Sequence, residues 1–109
     1  MSISDEFAVY VCDQLSGWGE VTVRKMFGGA GLYRDGVMFG LIAEDTVYLK
    51  VDNSNRKDFE AAGMSPFRPD ADKKMTMPYY EVPADVLEEA ALFCAWAEKA
   101  HRVAVRRKA

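Results

Sequence analysis

The chain has 109 residues, one domain's worth, and at this size folding hides roughly 65% of the extended chain's surface, enough for a core without disulfides or metals. Fourteen Lys and Arg against 17 Asp and Glu leave a net charge of −3, which argues against the broad basic footprint of a general nucleic-acid binder. No run approaches the ~18 apolar residues of a membrane span, and Met1-Ser2-Ile3-Ser4-Asp5-Glu6 lacks the basic and apolar regions of a secretory signal.

Ser2 and Asp5 read as a capping box for a first helix, in which Ala8, Val11, Cys12 and Leu15 recur at the spacing of one buried face. Ser16-Gly17 ends it, because glycine accepts the left-handed conformation of a helix terminus. Cys12 and Cys94 lie among apolar neighbours without metal or redox spacing, so they read as small core residues of a protein in the reducing cytoplasm. Glu20 to Phe27 is rich in β-branched residues, with Val21 and Val23 on one side and Thr22 and Arg24 on the other.

Gly28-Gly29-Ala30-Gly31 invites a phosphate-loop reading. No Gly-Lys-Ser/Thr follows, however, and the next segment is a strand rather than a helix, so a tight or bulged strand connection is favoured. Asp35-Gly36 between two apolar runs predicts a type I′ hairpin, and Glu44-Asp45 a second tight turn. Two-residue loops would pair Tyr33 with Met38, Gly31 with Gly40, Ile42 with Val47 and Gly40 with Leu49. Those residues and Val51 then form one apolar side, dented at the glycines where a helix approaches. Leu32, Phe39, Leu41, Tyr48 and Lys50 form the other, too apolar for a wet face and hence covered by helices or reserved for a partner, a second copy of the chain included.

Asp52-Asn53-Ser54 offers caps for a short helix, Asn55 to Ala62, anchored by Phe59 and stopped by Gly63. Met64 to Arg68 and Met75 to Val82 read as strands joined by a polar loop in which Asp70 and Asp72 are too few for a calcium site. Pro78 belongs to an edge or a bulge, and Tyr79 and Tyr80 point to opposite faces. From Pro83-Ala84-Asp85 a single long helix is predicted, with Val86, Ala90, Phe93, Ala97 and Ala100 as its buried stripe and Leu92 and Trp96 beside it. Arg102, Arg106, Arg107 and Lys108 make residues 102–109 a basic C-terminal tail, read as a solvated last helical turn whose cations suit the helix dipole. No linker or repeat divides the chain, so residues 1–109 form one α+β domain: a twisted antiparallel sheet and helices in the order α-β-β-β-β-α-β-β-α.

Arg24-Lys25-Met26-Phe27-Gly28-Gly29, Gly31-Leu32-Tyr33 and Tyr48-Leu49-Lys50-Val51-Asp52 resemble the signature of the TfoX (Sxy) N-terminal domain. Phe59, Gly63, Pro66-Phe67 and Met77-Pro78-Tyr79-Tyr80-Glu81-Val82-Pro83 extend the likeness over nearly the whole chain. Full-length members of that family are bacterial regulators of natural competence genes that act with the cyclic-AMP receptor protein and carry a second, C-terminal domain. The resemblance implies a stand-alone copy of the first domain and, with it, a non-catalytic regulatory or protein-interaction role. Phe27, Gly28, Gly29, Gly31, Gly40, Pro78, Tyr79 and Tyr80 are then structural motif residues.

The residues themselves assemble no nucleophile with a base, no rigid carboxylate pair and no metal-ligand set, and no cofactor is expected. His101, beside the basic tail, reads as an exposed helix residue. Sequence-specific DNA binding is not expected either, since no helix lines up basic and base-reading side chains. The candidate partner-binding residues are Arg24, Lys25, Tyr33 and Lys50. Adjacent cations on a strand point to opposite faces, so at least one of Arg24 and Lys25 either reaches solvent or is paired, with Asp52 or Glu81 as possible internal partners. The alternative from another class is a small-ligand site built from the glycine turn, Arg24, Lys25 and the tyrosines.

Overall fold

The computed structural model describes residues 5–26, 29–67 and 78–108. Strands β1 (Thr22–Met26), β2 (Gly29–Arg34), β3 (Val37–Ala43), β4 (Thr46–Lys50) and β5 (Tyr79–Glu81) form one antiparallel sheet in sequential order. Helix α1 (Asp5–Gln14) precedes it, α2 (Arg56–Ala61) interrupts it, and α3 (Ala84–Glu88) and α4 (Ala90–Lys108) follow. Helix α4 lies across β3 and β4, with α1 against α3 and α4, so the core sits between a sheet layer and a helix layer.

Both predicted tight turns form. Asp35 and Gly36 have φ of 53° and 77°, and Glu44 and Asp45 have φ of 51° and 56°, the positive angles at both central residues that match a hairpin's twist. Between them the register departs from even alternation. Leu32 pairs with Gly40 but Tyr33 with Met38, so Phe39 is an extra residue in β3. Gly31 consequently pairs with Leu41, not Gly40, and Leu32 and Phe39 join Ile42, Val47 and Leu49 on the helix-covered side, with 0% exposure, instead of sharing a side with Leu41, Tyr48 and Lys50.

The bulge is favoured by what it buries. A Leu or Phe side chain taken out of water is worth roughly 1.5–3 kcal/mol, against about 1 kcal/mol net for a backbone hydrogen bond lost from the ladder. Phe39 lands edge-on against Trp18, with ring centroids 5.1 Å apart, and 6.3 Å from the ring of His101 on α4. Of the four residues that suggested a self-association surface, only Leu41 and Tyr48 stay on the open side, where Tyr48 packs on Phe67 at 4.7 Å.

On the helix side, Ala97, Ala100 and Ala104 let α4 approach the sheet closely, flanked by buried Phe93 and Val103. The single helix predicted after Pro83 is broken at Glu89, whose extended conformation (φ −104°, ψ 101°) ends α3, while its carbonyl accepts the Phe93 N–H at 2.9 Å to start α4. Ala90, just past the break, is exposed and drops out of the predicted stripe, while Val86, Phe93, Ala97 and Ala100 are buried; Leu92, expected beside the stripe, is exposed as well.

Segment 65–67 runs beside β5 with a bridge at Pro66 only, since proline has no N–H for a ladder. Phe67 N–H donates to the Tyr79 carbonyl at 2.7 Å, and Pro78, at the sheet's last strand, accepts from Val51 N–H at 2.9 Å. The predicted cap at Ser2 and the polar loop with Asp70 and Asp72 lie outside the described residues, as do Phe27 and Gly28.

Where β4 ends, Asn55 is buried to 2% and satisfies both ends of its amide: it accepts from Asp52 N–H at 2.9 Å and donates to the Lys50 carbonyl at 3.0 Å. Sequence reasoning took this residue for the start of a helix and missed that it ties α2 to the last residue of β4.

Gly40 fills no helix-sized dent. A Cβ there would sit 2.7 Å from the Tyr48 carbonyl oxygen and 3.1 Å from Leu49 Cδ2, so the constraint comes from β4 itself. We expect Gly40→Val to lose on the order of 1–3 kcal/mol of stability by overpacking. Chemical denaturation checks this, and an unchanged midpoint would mean that β4 yields at no cost.

Candidate interaction site

Strand alternation and the β1–β2 and β4–β5 pairings put Arg24, Tyr33, Met38, Lys50 and Tyr79 on the open side of the sheet. The Arg24 guanidinium lies 5.5 Å from the centre of the Tyr33 ring, and Lys50 Nζ lies 4.9 Å from that of Tyr79. Both distances are within the range of a cation–π attraction. Lys25 shares its side with Val23, which packs against the core, so it does not join the other three candidates. Tyr79 is buried to 6% exposure, while Tyr80, on the helix side, packs on Phe59 at 5.8 Å.

At the end of the sheet Tyr33, Met38, Lys50 and Tyr79, but not Arg24, border an open depression of about 380 Å³, lined further by Ala104 and Arg107 of α4 and by Gly36 and Val37 of the hairpin. Burial, and then the neighbouring Arg107 charge, push the Lys50 ammonium below its ordinary pKa. Burial, and then Tyr33, push the Tyr79 phenol up. Among the described residues, no carboxylate pairs with Arg24, Lys50 or Arg107. Asp52, one of the internal partners considered for the strand cations, is instead bound to Arg106 at 3.2 Å and to Ser54.

A second cluster holds the hairpin in place. Trp18 Nε1–H donates to Glu98 Oε1 at 2.8 Å, and Arg34 lies 4.3 Å over the Trp18 ring and 3.7 Å from Glu98. Arg102 donates to the other Glu98 oxygen at 2.8 Å, and a ring nitrogen of His101 meets the Arg34 carbonyl at 3.1 Å. His101 is thus half-buried rather than exposed, because α4 crosses the hairpin at this point. Residues 102–108 continue α4, with Arg102 and Arg106 engaged by acids and Arg107 turned to the depression.

Arg107 is the cation of the site that sequence reasoning missed, having read it as part of a solvated tail; Tyr79, named as a motif residue, reaches the site through its pairing with Lys50. The signal for Arg107 was present, because Ala97, Ala100 and Ala104 continue to position 107 at helical spacing. Gly29 and Gly31 lie inside β2, paired with Met26 and Arg24, so the described part of the glycine run is strand. At Gly29 a Cβ would run into the Ile42 carbonyl oxygen. Burial pushes the Cys12 and Cys94 thiols up, away from reactive thiolates. No group of three or more metal-ligating side chains, and no helix long and apolar enough to cross a membrane, occurs among the described residues.

Fold and site together define a small α+β domain with one helix-covered face and one open face rich in cations and tyrosines. The family model of the TfoX N-terminal domain matches residues 13–104, and the chain belongs to that family. No curated protein matches the sequence.

Hydrogen bonds from Trp18 and Arg102, with the charges of Arg102 and Arg34, hold the Glu98 carboxyl below its ordinary value of 4.5. A carboxylate depressed on folding stabilises above its unfolded pKa, and that stabilisation is lost as pH falls through the folded value. Glu98→Gln should therefore melt below wild type at neutral pH, with the gap shrinking from about pH 5 downward. Thermal melts across that range check it, and a gap that is constant with pH would remove Glu98 ionisation from the account.

Proposed function

We propose that this domain is a non-catalytic regulatory module that acts by docking an acidic segment of another protein on its open sheet face. The observation that carries the reading is that Arg24 and Lys50 are each stacked on a tyrosine and meet no carboxylate among the described residues. Strands hold such cations with little freedom left to lose, and paired charges give a docking surface its specificity and on-rate. Membership of the TfoX N-terminal domain family supports the same reading.

Affinity capture with wild type, Arg24→Glu and Lys25→Glu tests it, after circular dichroism confirms that each variant is folded. Lys25 lies on the opposite side and serves as a charge-matched control. A partner bound by wild type and Lys25→Glu should be lost with Arg24→Glu, with affinity at least about tenfold weaker, as expected for a like charge placed against an acidic segment. Equal capture by all three proteins would rule out this face.

A further inference from the structure

The depression between the hairpin, the end of β4 and the last turns of α4 is not explained by the docking of a segment across the sheet. It brings together two cations from distant parts of the chain, Lys50 and Arg107. Neither pairs with an acid among the described residues, although nearby acids hold three other cations of α4: Glu98 takes Arg102, Asp58 takes Lys99 and Asp52 takes Arg106.

Each of the two is held from behind. Lys50 has its carbonyl fixed by the Asn55 amide, and Arg107 follows Arg106, whose guanidinium is anchored on Asp52 and Ser54. The walls between them are Tyr33, Tyr79, Met38 and Val37, aromatic and apolar surface that strengthens electrostatic attraction for whatever enters. Partial burial, and then the proximity of Arg107, disfavour the Lys50 ammonium.

We propose that this depression binds a phosphate-class dianion between Lys50 and Arg107, with the tyrosine walls beside it. Two facing cations of like charge are balanced by a ligand with two negative charges, whereas a single carboxylate leaves one cation uncompensated. The guanidinium supplies a planar fork for two oxygens and the ammonium a point charge for a third. A volume of about 380 Å³ exceeds what one oxyanion fills, so there is room for a small organic body on the phosphate against the aromatic wall. The inference shares Lys50 with the docking reading but goes beyond it and stands without it, because Arg107 has no part in that reading.

The test is titration of the purified domain with inorganic phosphate and, separately, with phenyl phosphate, at matched ionic strength against sodium chloride. Heat and amide chemical shifts are the readouts. Saturable binding is expected, with shifts centred on Gly36, Val37, Lys50 and Arg107. Arg107→Gln should weaken it about tenfold or more through loss of a charge-assisted pair, while Lys25→Glu, on the opposite side of the sheet, leaves it within about twofold, as for a charge screened at a distance. Tighter binding of phenyl phosphate would identify an organic phosphate that uses the tyrosine wall, and equal binding would identify the free ion. Linear, unsaturated shifts, or unchanged affinity in Arg107→Gln, would overturn the proposal whether or not partner capture succeeds.

Discussion

The extra residue at Phe39 decides how the hairpin end of the sheet is used. By turning Phe39 and Gly40 successively toward the helices, it lets the Phe39 ring reach Trp18 and His101. That contact gives α4 a fixed point to cross the hairpin, and the Trp18–Glu98–Arg34 cluster closes around it. Beyond the bulge, Tyr33 and Met38 remain a facing pair on the open side, so the same irregularity that fills the core leaves them bordering the depression. Apolar burial outweighs one interrupted stretch of ladder, and the polar geometry follows from that choice.

Two groups of cations differ in what they meet. On α4, Lys99 and Arg106 reach off the helix to Asp58 and Asp52, while Arg102 pairs with Glu98 one turn away on the same helix. These pairs are largely solvent-exposed, so each adds little energy. Arg24, Lys50 and Arg107 form the second group, set against tyrosine rings or an open cavity. A net-acidic chain thus carries a locally cationic end, which overall charge does not show.

Local chemistry made the hairpins legible in the sequence. Asp35-Gly36 needs only its own backbone preference to turn, and the helix stop at Gly63, with φ of 78°, is equally local. The β3–β4 register followed from turn length, as the pairs Ile42–Val47 and Gly40–Leu49 show. The bulge was not legible, because Phe39 gains its contacts from Trp18 and His101, far away in sequence. Nor was the break at Glu89, since the residues from Ala84 to Ala91 carry an unbroken helical preference and no proline or glycine marks the extended residue. For Arg107 the helical spacing from the alanine stripe was on view, but what it meets is set only once α4 has been laid over the sheet.

Asn55 couples two parts of the molecule that could otherwise open separately. Its side chain supplies an acceptor to Asp52 N–H and a donor to the Lys50 carbonyl, a combination that neither Asp nor Leu can offer. Lifting the N-terminus of α2 away from the sheet would leave a buried amide and a strand carbonyl without partners, an opening far more costly than the fraying of a six-residue helix. The end of β4 and the start of α2 therefore exchange with solvent as one unit, and motion that loosens Lys50 carries α2 with it.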